Sequence, residues 1–373
     1  MVNFIVCEFN PFHNGHAYLL EQIHRYPNIC IMSSHVTQRG EFSHTDKWTR
    51  TEMALRCGAD LVLELSAPFA MGNAQLFAEG ALEIARATGL NGRFCFGTEG
   101  DVLSRLQALA DISNDALSPT IKQLQRQGYS YAASLSAAYA KLNADISVLS
   151  TPNNVLALEY IRAGKDFSFF AVERQGVAHD STELSDKFCS ASALRNNPSL
   201  YSRYVPSQLH KLYRTLQSPD PAKIDLLWLH HLRTLTKEEW DVIAPDGIGR
   251  RFYKQVQTAG SIQELLEQVK TKCCTFASLR RLALKAFLGP SPCEHPQYIR
   301  VLGANQTGKE LLAQMNPSLP LLVKPASVHK LSQQAQMLME YESKLTDIYM
   351  FMMPDSQPKG LEYQTSPIIK NQA

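Results

Sequence analysis

Five short apolar runs punctuate the first half of the chain: Phe4-Ile5-Val6-Cys7, Asn28-Ile29-Cys30-Ile31-Met32-Ser33, Asp60-Leu61-Val62-Leu63-Glu64-Leu65, Arg93-Phe94-Cys95-Phe96 and Phe167-Ser168-Phe169-Phe170-Ala171-Val172. Their length and their polar or glycine-containing borders are those of buried strands. Stretches with helical spacing lie between them: one from about Ala17, Asp46 to Cys57 ended by Gly58, Phe77 to Thr88 ended by Gly89, and Val155 to Ala163 ended by Gly164. Residues 101–150 also read as helical, with Ser118-Pro119 as a break. Strands alternating with helices predict an α/β fold with a doubly wound, parallel, five-stranded sheet. The predicted organisation is a domain over 1–200, a mainly α-helical C-terminal domain over 201–353, and a weakly structured tail over 354–373, where Pro354, Pro358, Gly360 and Pro367 fall.

The turn after the first strand carries the chemistry. It reads Phe9-Asn10-Pro11-Phe12-His13-Asn14-Gly15-His16, which contains the form His-x-Gly-His. Pro11 disfavours helix at Asn10, so the chain stays extended into the turn. Gly15 lets a backbone or ligand atom approach closely. The first N–H groups of the following helix lack partners and carry partial positive charge. A triphosphate fits such a place. His13 and His16 can each donate a ring N–H to phosphate oxygens, as suits attack on an α-phosphate with pyrophosphate leaving. Two surface histidines at a loop–helix junction are the plainer alternative; the placement behind an N-terminal strand favours the site.

Further candidates lie at the carboxyl ends of the other strands, where open parallel sheets bind ligands. Gly97 opens a glycine turn after the fourth strand. Asn153 and Asn154 either cap a helix or read an adenine edge or a ribose. Arg174, just after the fifth strand, is placed to clamp phosphates, with His179-Asp180 beyond it. Ser190 and Ser192 start a helix with Arg195 one turn in, either as an anion site or as caps. Lys47 could reach a phosphate as a point charge, against the commoner fate of a solvated lysine.

Composition narrows the class. Hydrophobic residues make up 45% and charged residues 19% of the 373, as in a soluble globular protein. No apolar run approaches the ~20 residues of a membrane helix, and no signal peptide is evident. The eight cysteines form no C-x-x-C pair, which argues against a zinc site or a disulfide framework and fits a reduced, cytoplasmic setting. The net charge of +2 hides an asymmetry. From Ile248 to Lys309 the basic residues are Arg250, Arg251, Lys254, Lys270, Lys272, Arg280, Arg281, Lys285, Arg300 and Lys309, opposed by Glu264, Glu267 and Glu294. Tyr253, Phe276 and Tyr298 are interleaved. That is the footprint of a phosphate-binding face with bases to stack, or else a solvated helical surface over aromatic core residues.

The string Asn10-Pro11-Phe12-His13-Asn14-Gly15-His16 resembles the HIGH-type nucleotidyltransferase signature, whose domain is Rossmann-like. More narrowly, the chain resembles the bacterial tRNA(Met) cytidine acetate ligase family over about residues 2–330. The strings that carry this are Gln38-Arg39-Gly40-Glu41, Lys47 to Leu55, Asp60 to Leu65, Phe96-Gly97-Thr98-Glu99, Pro152-Asn153-Asn154, Arg174 with His179-Asp180, Ser190 to Arg195, Lys270-Thr271-Lys272, Leu279 to Leu282 and Tyr298 to Gly303. The resemblance implies attack of acetate on ATP to give acetyl-adenylate, then acetylation of the wobble cytidine of elongator tRNA(Met). It implies an ATP site of Val6, Cys7, Glu8, Phe9, Asn10, Pro11, Phe12, His13, Asn14, Gly15, His16, Ala17, Tyr18 and Leu19, with Gly97, Asn153 or Asn154, and Arg174. Catalysis then falls to His13, His16 and Lys47, and tRNA binding to Arg250, Arg251, Lys254, Lys270, Lys272, Arg280, Arg281 and Arg300. Mg²⁺ is expected with ATP, although no dedicated ligand set is visible. Neither a membrane nor a protein partner is indicated. Departures from the family pattern are Ala178, where an aromatic is usual, and Ser190-Ala191-Ser192, where one hydroxyl is displaced. A small-molecule nucleotidyltransferase and a non-catalytic nucleotide-sensing RNA-binding protein are the alternatives.

Overall fold

A computed structural model describes residues 1–129, 131–174, 187–244 and 247–370. The apolar runs become β1 (Val2–Cys7), β2 (Asn28–Ser33), β3 (Leu61–Leu65), β4 (Gly92–Thr98) and β5 (Ser168–Glu173). These five strands pair in parallel in the order β5-β4-β1-β2-β3. Alternate residues face opposite layers. Phe4, Ile29, Ile31, Leu63 and Phe94 point into one apolar cluster, and Ile5, Cys7, Cys30, Met32 and Cys95 into the other. Burial on both faces is why these strands read as continuous apolar runs. The chain runs outward from β1 through β2 to β3, then crosses back to place β4 on the other side of β1. The order therefore reverses between β1 and β4, and a crevice opens at their carboxyl ends.

The sheet is larger than its five parallel strands. After the helices of residues 201–288, the chain returns as β6 (Ile299–Ala304), antiparallel to β3, and adds β7 (Leu321–Leu322) and β8 (Ile368–Ile369), each parallel to β6. The helical half is thus sewn into the first domain's sheet. The expectation of a weakly structured tail is corrected in the same way. Residues 361–364 form a helix, and β8 pairs with β6. The tail is held by tertiary partners: Glu362, on that short helix, is fully buried and lies 3.1 Å from Arg300 on β6. Local periodicity could not show this in so short a segment.

Two further corrections concern the helices. Pro119 sits inside the Asn114–Arg126 helix; the break falls earlier, where the Ser113 side chain accepts from the Ala116 N–H at 3.3 Å and starts that helix. Lys47, on α2 (Lys47–Arg56), is fully buried rather than solvated, and Arg50 of the same helix is buried with it.

Candidate active site

The crevice between β1 and β4 is built from a turn that folds upon itself. Beyond β1, Phe9 takes a left-handed φ of 48°, a conformation a bulky residue adopts only when its surroundings fix it. Its ring is buried, 4.8 Å from Phe12 and 5.0 Å from His16. His13 is the N-cap of α1 (Asn14–Gln22). Its Nδ1 accepts from the Gly15 N–H at 3.0 Å, while His16 Nδ1 accepts from the His13 N–H at 3.3 Å. The two histidines thus form a reciprocal capping box. Their rings stack 3.8 Å apart at 20°. Because both Nδ1 atoms accept backbone protons, each neutral ring carries its own proton on Nε2. Gly15 has a different reason from the one expected: a Cβ there would stand 2.9 Å from His13 Cε1. The glycine makes room for the histidine ring.

The rest of the turn is braced from outside. Asn10 Oδ1 accepts from the His44 N–H at 2.6 Å, and Asn10 O accepts from Arg195 at 2.7 Å. Phe12 O accepts from the Tyr213 hydroxyl. Asn14 Nδ2 donates to the carbonyls of Lys187 and Arg203, so this amide fastens the turn to the segment that follows. Cys7 is buried with its thiol pushed up by burial, and then by Cys30. Arg50 ties the strand ends together: it donates to Glu8 O at 2.7 Å, Ser33 O at 3.1 Å and Thr45 O at 3.1 Å, and also to Ser34 O. Glu8 accepts from the Gln38 N–H at 2.6 Å, and burial raises its carboxyl above the usual range. Val6 lies in β1, and Ala17, Tyr18 and Leu19 lie in α1, packed against the neighbouring apolar cluster.

The opposite wall is centred on Glu99. Asn153 Nδ2 donates to Glu99 Oε1 at 2.9 Å, and Arg174 Nε lies 3.4 Å from the same oxygen. Asn154 is buried. It accepts from the Glu99 N–H at 2.9 Å and donates to Val148 O at 2.9 Å. Thr151 is the N-cap and Pro152 follows it, so neither asparagine caps the helix. Gly97 lies within β4, and a Cβ there would come 3.2 Å from Arg174 Cγ. The glycine lets the arginine stem cross the strand. Ser190 caps its short helix by accepting from the Ala193 N–H at 3.0 Å, and Ser192 Oγ accepts from Arg195 at 3.0 Å. Two groups therefore stand at neighbouring strand ends of the switch point: His13 and His16 after β1, and Glu99, with Asn153 and Arg174, after β4.

Lys47 is not. Its Nζ lies 2.5 Å from Glu64 and 2.8 Å from Glu362, with all three side chains fully buried. Burial works against its charge, but Glu362 and Glu64 outweigh it and hold the amine above its ordinary value. Its role is in the interior, and the expectation of a phosphate contact is withdrawn. Ala178, His179 and Asp180 lie outside the described residues. Among the described residues no group of three or more His, Cys, Asp or Glu side chains is arranged to hold a metal ion.

Residues 2–364 match the family model described as HIGH Nucleotidyl Transferase. The chain is 29% identical to the tRNA(Met) cytidine acetate ligase of Thermoanaerobacter pseudethanolicus, covering 98% of both chains. It is 33% identical to that of Streptococcus sanguinis, covering 85% of this chain and 88% of the relative. The crystal structure of Thermotoga maritima TmcAL bound with alpha-thio ATP superposes over the full length of both chains with a TM-score of 0.90 at 26% identity. The chain belongs to the tRNA(Met) cytidine acetate ligase family of HIGH nucleotidyltransferases.

In this HIGH nucleotidyltransferase the basic residues of the C-terminal half divide into two groups. Arg250, Lys254 and Lys272 are exposed, beside Tyr253 and Phe276, which are each 38% exposed. Lys270 lies 5.6 Å over the Phe276 ring. Arg251 is exposed but also donates to Val269 O at 3.1 Å, closing the end of the Ile262–Val269 helix. The other group faces inward. Arg300 is 2% exposed and paired with Glu362, and Tyr298 is also buried. Neither lies on an RNA-facing surface. Arg280 and Arg281 engage Glu41 and Gln38. The sequence reading missed Glu99, Glu8 as a held carboxylate, Arg50 and Arg195 as bracing cations, and His44. Glu99 and Arg195 stand inside strings that signalled the family; His44 and the burial of Arg50 had no local signal.

Among the described residues no helix is long and apolar enough to cross a membrane.

Proposed function

We propose that this protein is an ATP-dependent ligase that acetylates the exocyclic amine of the wobble cytidine of elongator tRNA(Met). The observation that supports it most is the facing of two walls across the β1–β4 switch point: the His13–His16 helix start on one side, and Arg174 with Asn153 and Glu99 on the other. The relative bound with alpha-thio ATP has the same fold over its whole length.

In this reading the triphosphate lies at the start of α1, where the helix dipole favours negative charge. His13 and His16 donate through Nε2 to phosphate oxygens. A carboxylate oxygen of acetate attacks the α-phosphorus, the bond to the β-bridging oxygen breaks, and pyrophosphate leaves. The cytidine amine then attacks the acetyl carbonyl of the adenylate. The amine gives up a proton and AMP departs. Among the described residues no dedicated Mg²⁺ ligand set is arranged, and the steps above are those of the chain's own groups. The exposed Arg250, Lys254, Lys272, Tyr253 and Phe276 supply cations and ring faces for the RNA.

Incubation with labelled acetate, ATP and total tRNA tests this reading. Label should appear in N4-acetylcytidine of one tRNA, with AMP and pyrophosphate formed. Label remaining as a small acyl product, or no acetate-dependent AMP at all, would remove the ligase assignment.

A further inference from the structure

Between β2 and α2 the chain leaves the sheet as a narrow turn. Val36 and Phe42 pair across it as an antiparallel bridge. Inside that bridge, Thr37 N–H donates to Glu41 O and Gly40 N–H to Thr37 O, each at 2.9 Å. Gly40 has a φ of 77°. A methyl group there would fall 2.5 Å from Arg281 N and 2.8 Å from the Arg280 carbonyl carbon. The tip of the turn is therefore pressed onto the backbone of the Phe276–Leu288 helix, and only glycine permits that approach.

Two side chains of that helix grip the turn. Arg280 lies 2.7 Å from Glu41 Oε1, and Arg281 donates to Gln38 O at 3.1 Å. Phe42 anchors the base of the turn, its ring 5.6 Å from Trp228 and 6.2 Å from Phe287. On its inner side the same turn reaches the crevice: Gln38 N–H donates to Glu8 Oε1 at 2.6 Å. Glu8 is the residue between β1 and the histidine turn. A continuous chain of polar contacts thus runs from the C-terminal helix through residues 37–41 to the Glu8 carboxylate at the end of β1.

We propose that the Thr37–Glu41 turn is a positioning element for the nucleotide crevice, and that Arg280 and Arg281 act through it on nucleotide binding and not on RNA. The proposal rests on the crevice being the nucleotide site. The physical reason is electrostatic. A carboxylate beside a triphosphate repels it, more strongly where water is excluded. The Gln38 N–H keeps the Glu8 carboxylate directed at the turn. Without the grip of Arg280 and Arg281, the turn lifts from the helix, Gln38 loses its place, and the Glu8 carboxylate is released towards the phosphates.

The test is a titration of the full chain with ATP and magnesium by calorimetry, for wild type, Arg280→Ala, Glu41→Arg and the Arg280→Glu/Glu41→Arg double variant. The same proteins are titrated with bulk tRNA at several salt concentrations. Each single variant should weaken ATP binding by about tenfold or more, the scale of a lost charge-assisted hydrogen bond. The charge swap should restore affinity to within about threefold, which a merely disordered loop would not do. Arg280→Ala should bind bulk tRNA as wild type does, with an unchanged salt slope. Wild-type ATP affinity in both single variants, or a double variant no better than the singles, overturns the proposal. So does Arg280→Ala with weakened tRNA binding and intact ATP binding, which would make Arg280 a docking residue. A wild-type chain that takes up no ATP would fail at the earlier step, removing the nucleotide site itself.

Discussion

Lys47 and Glu362 are separated by 315 positions, yet the lysine Nζ lies 2.8 Å from the glutamate carboxylate in the interior of the protein. Glu64 of β3 and Arg300 of β6 complete the group. Thr346 also donates to Glu362 at 2.6 Å. This cluster is what makes the last helix and strand part of the fold.

Removing one partner of a buried ion pair leaves the other charge stranded, at a cost of about 3–5 kcal/mol. Glu362→Ala strands Arg300 and leaves Lys47 with Glu64 alone. It should lower the denaturant midpoint by that order and free the tail to protease. Surface carboxylates such as Glu294 should change stability by no more than about 0.5 kcal/mol when replaced by alanine. Equal midpoints for the two variants would show that the cluster does not secure the C-terminus.

His13 has two duties that one substitution can separate. Asparagine is a good N-cap, so His13→Asn should keep α1 capped while losing the Nε2 donor. Melting should stay near wild type, whereas acetate-dependent AMP formation should fall by roughly 10²–10³, the scale of one lost oxyanion donor. His13→Ala should lose activity and also about 1 kcal/mol of stability. Full turnover in His13→Asn would confine this residue to a structural role.

Glu342 gives a pH signature. Burial first, and then the Glu64 carboxylate, push its carboxyl up to about 8. Its folded value lies above its unfolded one, so the folded state holds the extra proton in between. The contribution to stability is full below about pH 4.5, declines as pH rises, and is lost through about pH 8. Glu342→Gln mimics the protonated form. Denaturation profiles from pH 5 to 9 should be flatter for this variant than for wild type, and a parallel pair of profiles would contradict the assignment.

The exposed basic face carries its own expectation. Lys254→Ala and Lys272→Ala should each weaken bulk tRNA binding and reduce the salt slope by about 1. Arg300→Lys should leave the slope unchanged, because Arg300 is 2% exposed. A salt slope insensitive to both exposed lysines would place the RNA elsewhere.

Much of the candidate site was legible in the sequence because its signals are local. A capped helix behind a strand is written in consecutive residues, and His13-Asn14-Gly15-His16 is such a string. The turn after β4 and Arg174 after β5 were readable for the same reason: a parallel sheet sends the ends of its strands to one edge. What each residue does there was less legible. Gly15 and Gly97 were expected to admit a ligand, and they admit the side chains of His13 and Arg174. Asn154 was an open choice between cap and reader, and it holds the backbone of Glu99.

Charge was the property sequence judged least well. Lys47, Arg280, Arg281 and Arg300 looked like cations available to phosphates, because a basic residue carries no local mark of its partner. Their partners are Glu64 and Glu362 and the turn at residues 38–41, each brought in from far along the chain. The sequence by itself determined the alternating strands and helices, the histidine turn and the family, since these rest on neighbours within a few residues. Only the tertiary structure decided which cations face solvent, that the tail closes the sheet, and that a helix of the second half grips a loop of the first. Those are long-range packing outcomes, set by which surfaces must lose water together.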